Sequence, residues 1–175
     1  MGSPGKDGGG TSRLRATAHP LRLSMLSLLT GAELSAADVA RELQVTHANA
    51  SYHLRVLEKA GLLEVAGEER IRGGVAKRYR HPWRATSVEA LGEADDADGG
   101  AYVRAMADEL VRRHGDRRRP GVMVDAELWV EPEVWQEAQE LVRRASELLH
   151  EAAKPPRAEG TSHVNLTAAA FRMDD

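Results

Sequence analysis

Residues 35–80 read SAADVARELQVTHANASYHLRVLEKAGLLEVAGEERIRGGVAKRYR, and this stretch decides the fold. Ser35-Ala36-Ala37-Asp38 opens one short helix, and Thr46-His47-Ala48-Asn49 opens another. In each, a hydroxyl N-cap accepts a hydrogen bond from an otherwise unpaired amide of the first turn. The acidic or amide residue three positions on stands in for the Glu of a capping box. Only Gln44 and Val45 separate Leu43 from the second cap. The two helices must therefore cross steeply, which is the helix-turn-helix geometry that lays its second helix in the DNA major groove.

The second helix has two faces. At about 100° per residue, Ala50, Leu54 and Leu57 share one side and can anchor to a core. Ala48, Tyr52, Arg55 and Lys59 fall on the opposite side, with Asn49 and Ser51 at the margins. That outward face is small, aromatic and cationic, with no carboxylate. Gly61 follows the helix, where glycine can take the left-handed C′ conformation. Leu62 to Ala66 is an apolar run of strand length, Gly67 to Gly74 reads as a loop, and Val75 to Arg80 alternates as a return strand. The hairpin carries Arg70, Arg72, Lys77, Arg78 and Arg80. A β-ribbon with cations near its tip is suited to holding phosphates.

These residues resemble the ArsR family of winged-helix transcription regulators. The likeness runs through His19-Pro20-Leu21-Arg22-Leu23, Met25-Leu26 and Leu28-Leu29. It continues in Ala37-Asp38-Val39-Ala40, Ser51-Tyr52-His53-Leu54 and Leu57-Glu58-Lys59-Ala60-Gly61-Leu62. It covers roughly residues 14–84. The resemblance implies a dimeric DNA-binding regulator, commonly a repressor released by a small signal. The chain departs from the metal-sensing members in having no cysteine.

Charge supports the same half of the chain. The net charge of −3 over 175 residues is mild for a DNA binder. Residues 1–84 hold 13 Lys/Arg against 8 Asp/Glu, a balance of +5, while residues 85–175 hold 11 against 19, a balance of −8. A polyanion would dock on the first half and be repelled by the second. No apolar run approaches the roughly 20 residues of a membrane span, and Gly5 to Gly10 is not the apolar core of a secretory signal. The expectation is a cytoplasmic protein without a membrane partner.

Four segments follow: a disordered arm at 1–11, a winged helix-turn-helix domain at 12–84, an acidic linker at 85–100 and a C-terminal unit at 101–175. Ala18 to Leu29 reads as a helix with Pro20 in its first turn. It is apolar around most of its circumference, so Leu21, Leu23 and Leu26 are expected at a contact with a second subunit. Ala101 to Arg113 is amphipathic. Val122, Val124, Ala126, Leu128 and Val130 alternate with Met123, Asp125, Glu127 and Trp129, the pattern of a half-buried strand. From Pro132 to about Ala152, an apolar stripe runs along a long helix through Val134, Trp135, Leu141, Ala145 and Leu148. His163 to Arg172 alternates again. The spacing predicts helix, strand, helix, strand, with the strands pairing parallel or antiparallel. The fold class is α+β.

Catalytic chemistry finds little support. The seven His residues form no metal-ligand motif, and there is no nucleophile elbow or phosphate loop. No cofactor, metal or catalytic residue is expected. The candidate DNA contacts are His47, Asn49, Ser51, Tyr52, Arg55 and Lys59 on the helix and Arg70, Arg72, Lys77 and Arg78 on the hairpin. Arg can grip guanine or phosphate, and a Tyr hydroxyl commonly reaches phosphate. His53 lies at the edge of the apolar face and reads as a packed residue. Trp129 and Trp135 read as core or dimer contacts, with Trp135 expected in the interface. A ligand pocket for a small-molecule effector is the alternative. The partners expected are double-stranded DNA and a second copy of the chain. A competing reading makes the winged helix a protein-interaction module without DNA. A third, a small-molecule-binding enzyme-like C-terminal domain, lacks any catalytic constellation.

Overall fold

The computed structural model describes residues 8–71, 74–86, 96–118 and 121–173. The order is α1 (Gly8–Thr17), α2 (Pro20–Thr30), β1 (Leu34–Ser35), α3 (Ala36–Glu42), α4 (His47–Lys59), β2 (Glu64–Ile71) and β3 (Gly74–Arg80). A short α5 (Trp83–Thr86), α6 (Asp96–Gly115) and α7 (Pro132–Glu151) follow. The strands form one antiparallel sheet in the order β1-β3-β2. The fold is α+β, a winged helix-turn-helix.

Each element of the helix-turn-helix starts and stops for a local reason. His19 caps α2, its Nδ1 accepting from the Leu21 amide at 3.1 Å. Ser35 and Asp38 complete both halves of a capping box. The Asp38 amide donates to Ser35 Oγ at 3.3 Å, and the Ser35 amide donates to Asp38 Oδ2 at 3.1 Å. The Ser35 hydroxyl is the main cause holding the Asp38 carboxyl below the usual carboxylate range. Gln44 takes a left-handed φ of 55°, which lets two residues turn the chain between α3 and α4. Thr46 Oγ1 accepts from the Asn49 amide at 3.2 Å. Gly61, at φ 69°, ends α4 with the Leu62 amide bonded to Leu57 O at 3.0 Å, the Schellman arrangement.

Met25, Leu29, Val39, Leu54 and Leu57 are wholly buried in one cluster between α2, α3 and α4, closed by Leu62, Leu63 and Tyr79. α6 packs across α1 and α2. Ser24 Oγ donates to the buried Glu109 Oε2 at 2.7 Å, and Arg113 Nε reaches the same oxygen at 3.0 Å. Arg15 Nε donates to Asp98 Oδ1 at 3.3 Å.

The structure differs from the sequence reading in four places. The supposed arm is helical from Gly8, and residues 1–7 lie outside the described residues. The supposed loop from Gly67 is mostly strand, because a bulge at Ala66 lets Gly67 pair with Arg78 and β2 runs on to Ile71. α6 begins at Asp96, inside what reads as linker. Its acidic first turn and its closing Arg112, Arg113 and His114 suit the helix dipole, and packing against α1 and α2 offsets the poor helix propensity of Gly99 and Gly100. Lastly, the alternating segments around Val122–Val130 and His163–Arg172 carry no strand in the structure. Alternation marks a face that a partner element can bury, and among the described residues nothing in one chain covers either segment: Val122, Val124 and Val164 are exposed and α7 buries no residue.

Candidate nucleic-acid interface

α4 divides as its wheel requires. Ala50, Leu54 and Leu57 are wholly buried, and His53 is 6% exposed. His47, Ala48, Asn49, Tyr52, Arg55 and Lys59 are exposed, and Ser51 is half-buried at the margin. Thirteen residues at 1.5 Å rise make a rod about 20 Å long, held by its inner face with its outer face bare.

The outer face is braced from beneath. The Tyr52 ring, 56% exposed, stands edge-on to His53 with centroids 5.1 Å apart. His53 in turn lies 4.7 Å from the His19 ring. Burial, the His19 charge and the Arg22 charge depress the pKa of His53, in that order; burial and then Arg22 depress that of His19. In both imidazoles these effects favour the neutral form, and His53 Nδ1 has no hydrogen-bond partner among the described residues. His53 is packed, as the sequence reading has it, but by ring contact. Arg55 Nε donates to Ser51 O at 3.2 Å, which lays the guanidinium back along the exposed face.

The wing is less free than its composition implies. Lys77 Nζ donates to Glu58 Oε1 at 2.9 Å, which raises the lysine pKa. Arg78 pairs with Glu69 at 3.2 Å and also donates to Glu33 O. Arg80 pairs with Glu64 and lies 4.0 Å from Glu33. Among the described residues Lys59 and Arg70 are exposed and carry no ion pair, while Arg72 falls outside them. The residues sequence reasoning missed are these carboxylates. Pairing the strands on paper would have found some, since Glu64 faces Arg80 and Glu68 faces Lys77 across the ladder.

The four expected dimer residues are placed differently. Leu26 is buried in the core, Leu21 and Leu23 are half-buried on α2, and Trp135 is half-buried on α7. Trp129 is 90% exposed. No three His, Asp or Glu residues lie close enough to hold a metal among the described residues, and none of the described helices is long and apolar enough to cross a membrane.

No curated protein matches this chain. Residues 17–66, from the end of α1 into β2, match the family model of a helix-turn-helix domain, so this part of the molecule is similar to a DNA-binding regulatory domain, not a catalytic one.

Proposed function

We propose that the protein is a sequence-specific, ArsR-like transcription regulator of the cytoplasm that binds promoter DNA as a homodimer and represses by occluding polymerase. The observation that carries this reading is the bare outer face of α4, presented by a helix-turn-helix whose inner face is fully committed to the core. Two copies would set their α4 helices in successive major grooves about 34 Å apart. His47, Asn49, Ser51 and Tyr52 would do most of the base reading. Arg55, Lys59 and Arg70 would hold phosphates. Lys77 and Arg78 would join them by exchanging a carboxylate for a phosphate. With no cysteine, any releasing signal would be other than a thiolate-bound metal.

The ion-paired wing favours a second reading, a protein-interaction module, because a ribbon whose cations are already matched has less to offer a polyanion. A filter-binding titration on random duplex at low salt separates the two. The regulator should bind, with log affinity falling linearly in log salt, and Arg55→Ala should flatten that slope by about 0.9. Absence of any duplex binding at low salt would overturn the DNA reading.

A further inference from the structure

We propose that the C-terminal half is completed by a second copy of this chain, the two copies pooling their 122–130 and 163–171 segments into one sheet covered by two α7 helices. Three consecutive segments each have an apolar face, and none of these faces is covered. Val122, Val124 and Leu128 are exposed at 75–90%, and Val164 and Leu166, on one face of the last segment, are exposed as well. α7 buries no residue. An open groove of about 460 Å³ runs over its Leu141, Ala145 and Leu148, edged by Arg144, Glu147 and Glu151.

The area decides what kind of occupant is needed. These side chains leave roughly 1,000 Å² or more of apolar surface per copy, above the ~800 Å² per partner of a stable interface. A soluble monomer rarely exposes a contiguous patch beyond a few hundred Å².

The chemistry of the unit identifies the occupant as itself. A nine-residue strand and a 20-residue helix are both about 30 Å long, so the strand face and the helix stripe match in length. The charges of the first segment, Asp125 and Glu127, fall on the face opposite Val124 and Leu128, so the apolar face is free of charge. In one copy neither segment is paired and α7 covers neither; two copies would supply four strands and two helices, a sheet with one covered face. A twofold arrangement needs such a self-complementary surface. Nucleic acid is excluded as the occupant by the −8 balance of residues 85–175. The winged domain of the same chain is excluded by its closed core and by the way α7 is held. That hold is at the C-terminal end, through Arg84 to Glu151, the Trp83 and His150 rings 5.0 Å apart, and Arg157 to Glu42 at 2.8 Å.

The consequence for DNA, two α4 helices fixed at one spacing, rests on the function proposed above; the assembly itself does not. The test uses the full chain without DNA, by light scattering and amide hydrogen exchange across a hundredfold range of micromolar concentration. The proposal expects a dimer with slow exchange at residues 122–130 and 163–171. Leu141→Glu with Leu148→Glu should give a monomer in which those amides exchange freely, while the thermal transition of the winged domain persists. The unaltered protein decides the matter even if that variant fails to fold. A monomer throughout, a dimer with free exchange in both segments, or slow exchange within a monomer would each overturn the proposal. A dimer that ignores duplex DNA would overturn only the proposed function.

Discussion

The two halves of this molecule obey the same hydrophobic patterning and reach opposite outcomes. In residues 17–80 the apolar faces of α2, α3 and α4 meet in one core, and five large side chains are fully buried. In residues 121–173 the faces are as regular, yet α7 buries nothing and Trp129 is 90% exposed. The difference lies in what each element packs against. Three helices and a three-stranded sheet enclose a core within one chain, whereas α7 and the two unpaired segments leave each other uncovered. Periodicity therefore tells where a face can be buried, and the packing of its neighbours tells whether the chain buries it alone.

The largest effect should come from deleting the same atoms in each half. Leu54→Ala removes a fully buried side chain and should cost about 2–5 kcal/mol in urea unfolding. Leu141→Ala, at 57% exposure, should leave the unfolding of the winged domain within about 0.5 kcal/mol. Its effect should appear instead in the dimer dissociation constant. Equal costs in the two unfolding curves would break the comparison.

Acid should act on the seam between the halves. His81 follows β3, its Nδ1 3.2 Å from Thr30 Oγ1, and burial first, then the nearby His150, lower its pKa to about 4. The unfolded chain takes up this proton near pH 6.5 and the folded chain does not. The associated stability is therefore complete above pH 6.5, falls as the pH drops and is exhausted below about 4. After allowance for solvent screening, the loss is about 2 kcal/mol. His81→Asn should flatten the fall of melting temperature between pH 7 and 5. A variant with an unchanged slope would remove His81 from this account.

The caps give a smaller effect and show how much was legible. Ser35→Ala breaks both halves of the capping box and should cost about 1 kcal/mol by thermal unfolding. Both caps, the two-residue turn and the buried face of α4 could be read directly, because each depends on residues within one or two helical turns. The wing reads too short in the sequence because Gly67 looks like a loop residue, whereas its pairing with Arg78, past a bulge at Ala66, depends on the opposite strand. Gly99-Gly100 hid the start of α6 in the same way, since packing of Ala105 and Glu109 against α1 and α2 holds that helix. The outward residues of α4 were legible because a buried inner face fixes the outer one. The pairing of the wing cations was not, since it depends on strand register and on the reach of Glu58 from α4.

Salt should separate the halves by sign. DNA binding through the basic half should weaken as salt rises, because each phosphate contact releases a counterion. Association of two C-terminal halves that each carry −8 should hold or tighten, because salt screens their repulsion and leaves apolar contact intact. Dimer dissociation that tracks the DNA salt slope would mean that both depend on the same charges.

The smallest effect tests the wing alone. Lys77 is tied to Glu58, so in the free protein its charge is matched before any phosphate arrives. The pair is water-exposed and therefore weakly held, and a phosphate can displace the carboxylate at modest cost. Glu58→Gln removes the competing charge and keeps a side chain able to hydrogen-bond the lysine. Duplex affinity at low salt should rise about two- to threefold, and the salt slope should steepen by at most about 0.9, one further phosphate contact. Lys77→Ala in the Glu58→Gln background should abolish the gain. If Glu58→Gln leaves affinity and slope unchanged, Lys77 does not meet phosphate, and DNA is held by α4 and the Arg70 edge of the ribbon alone.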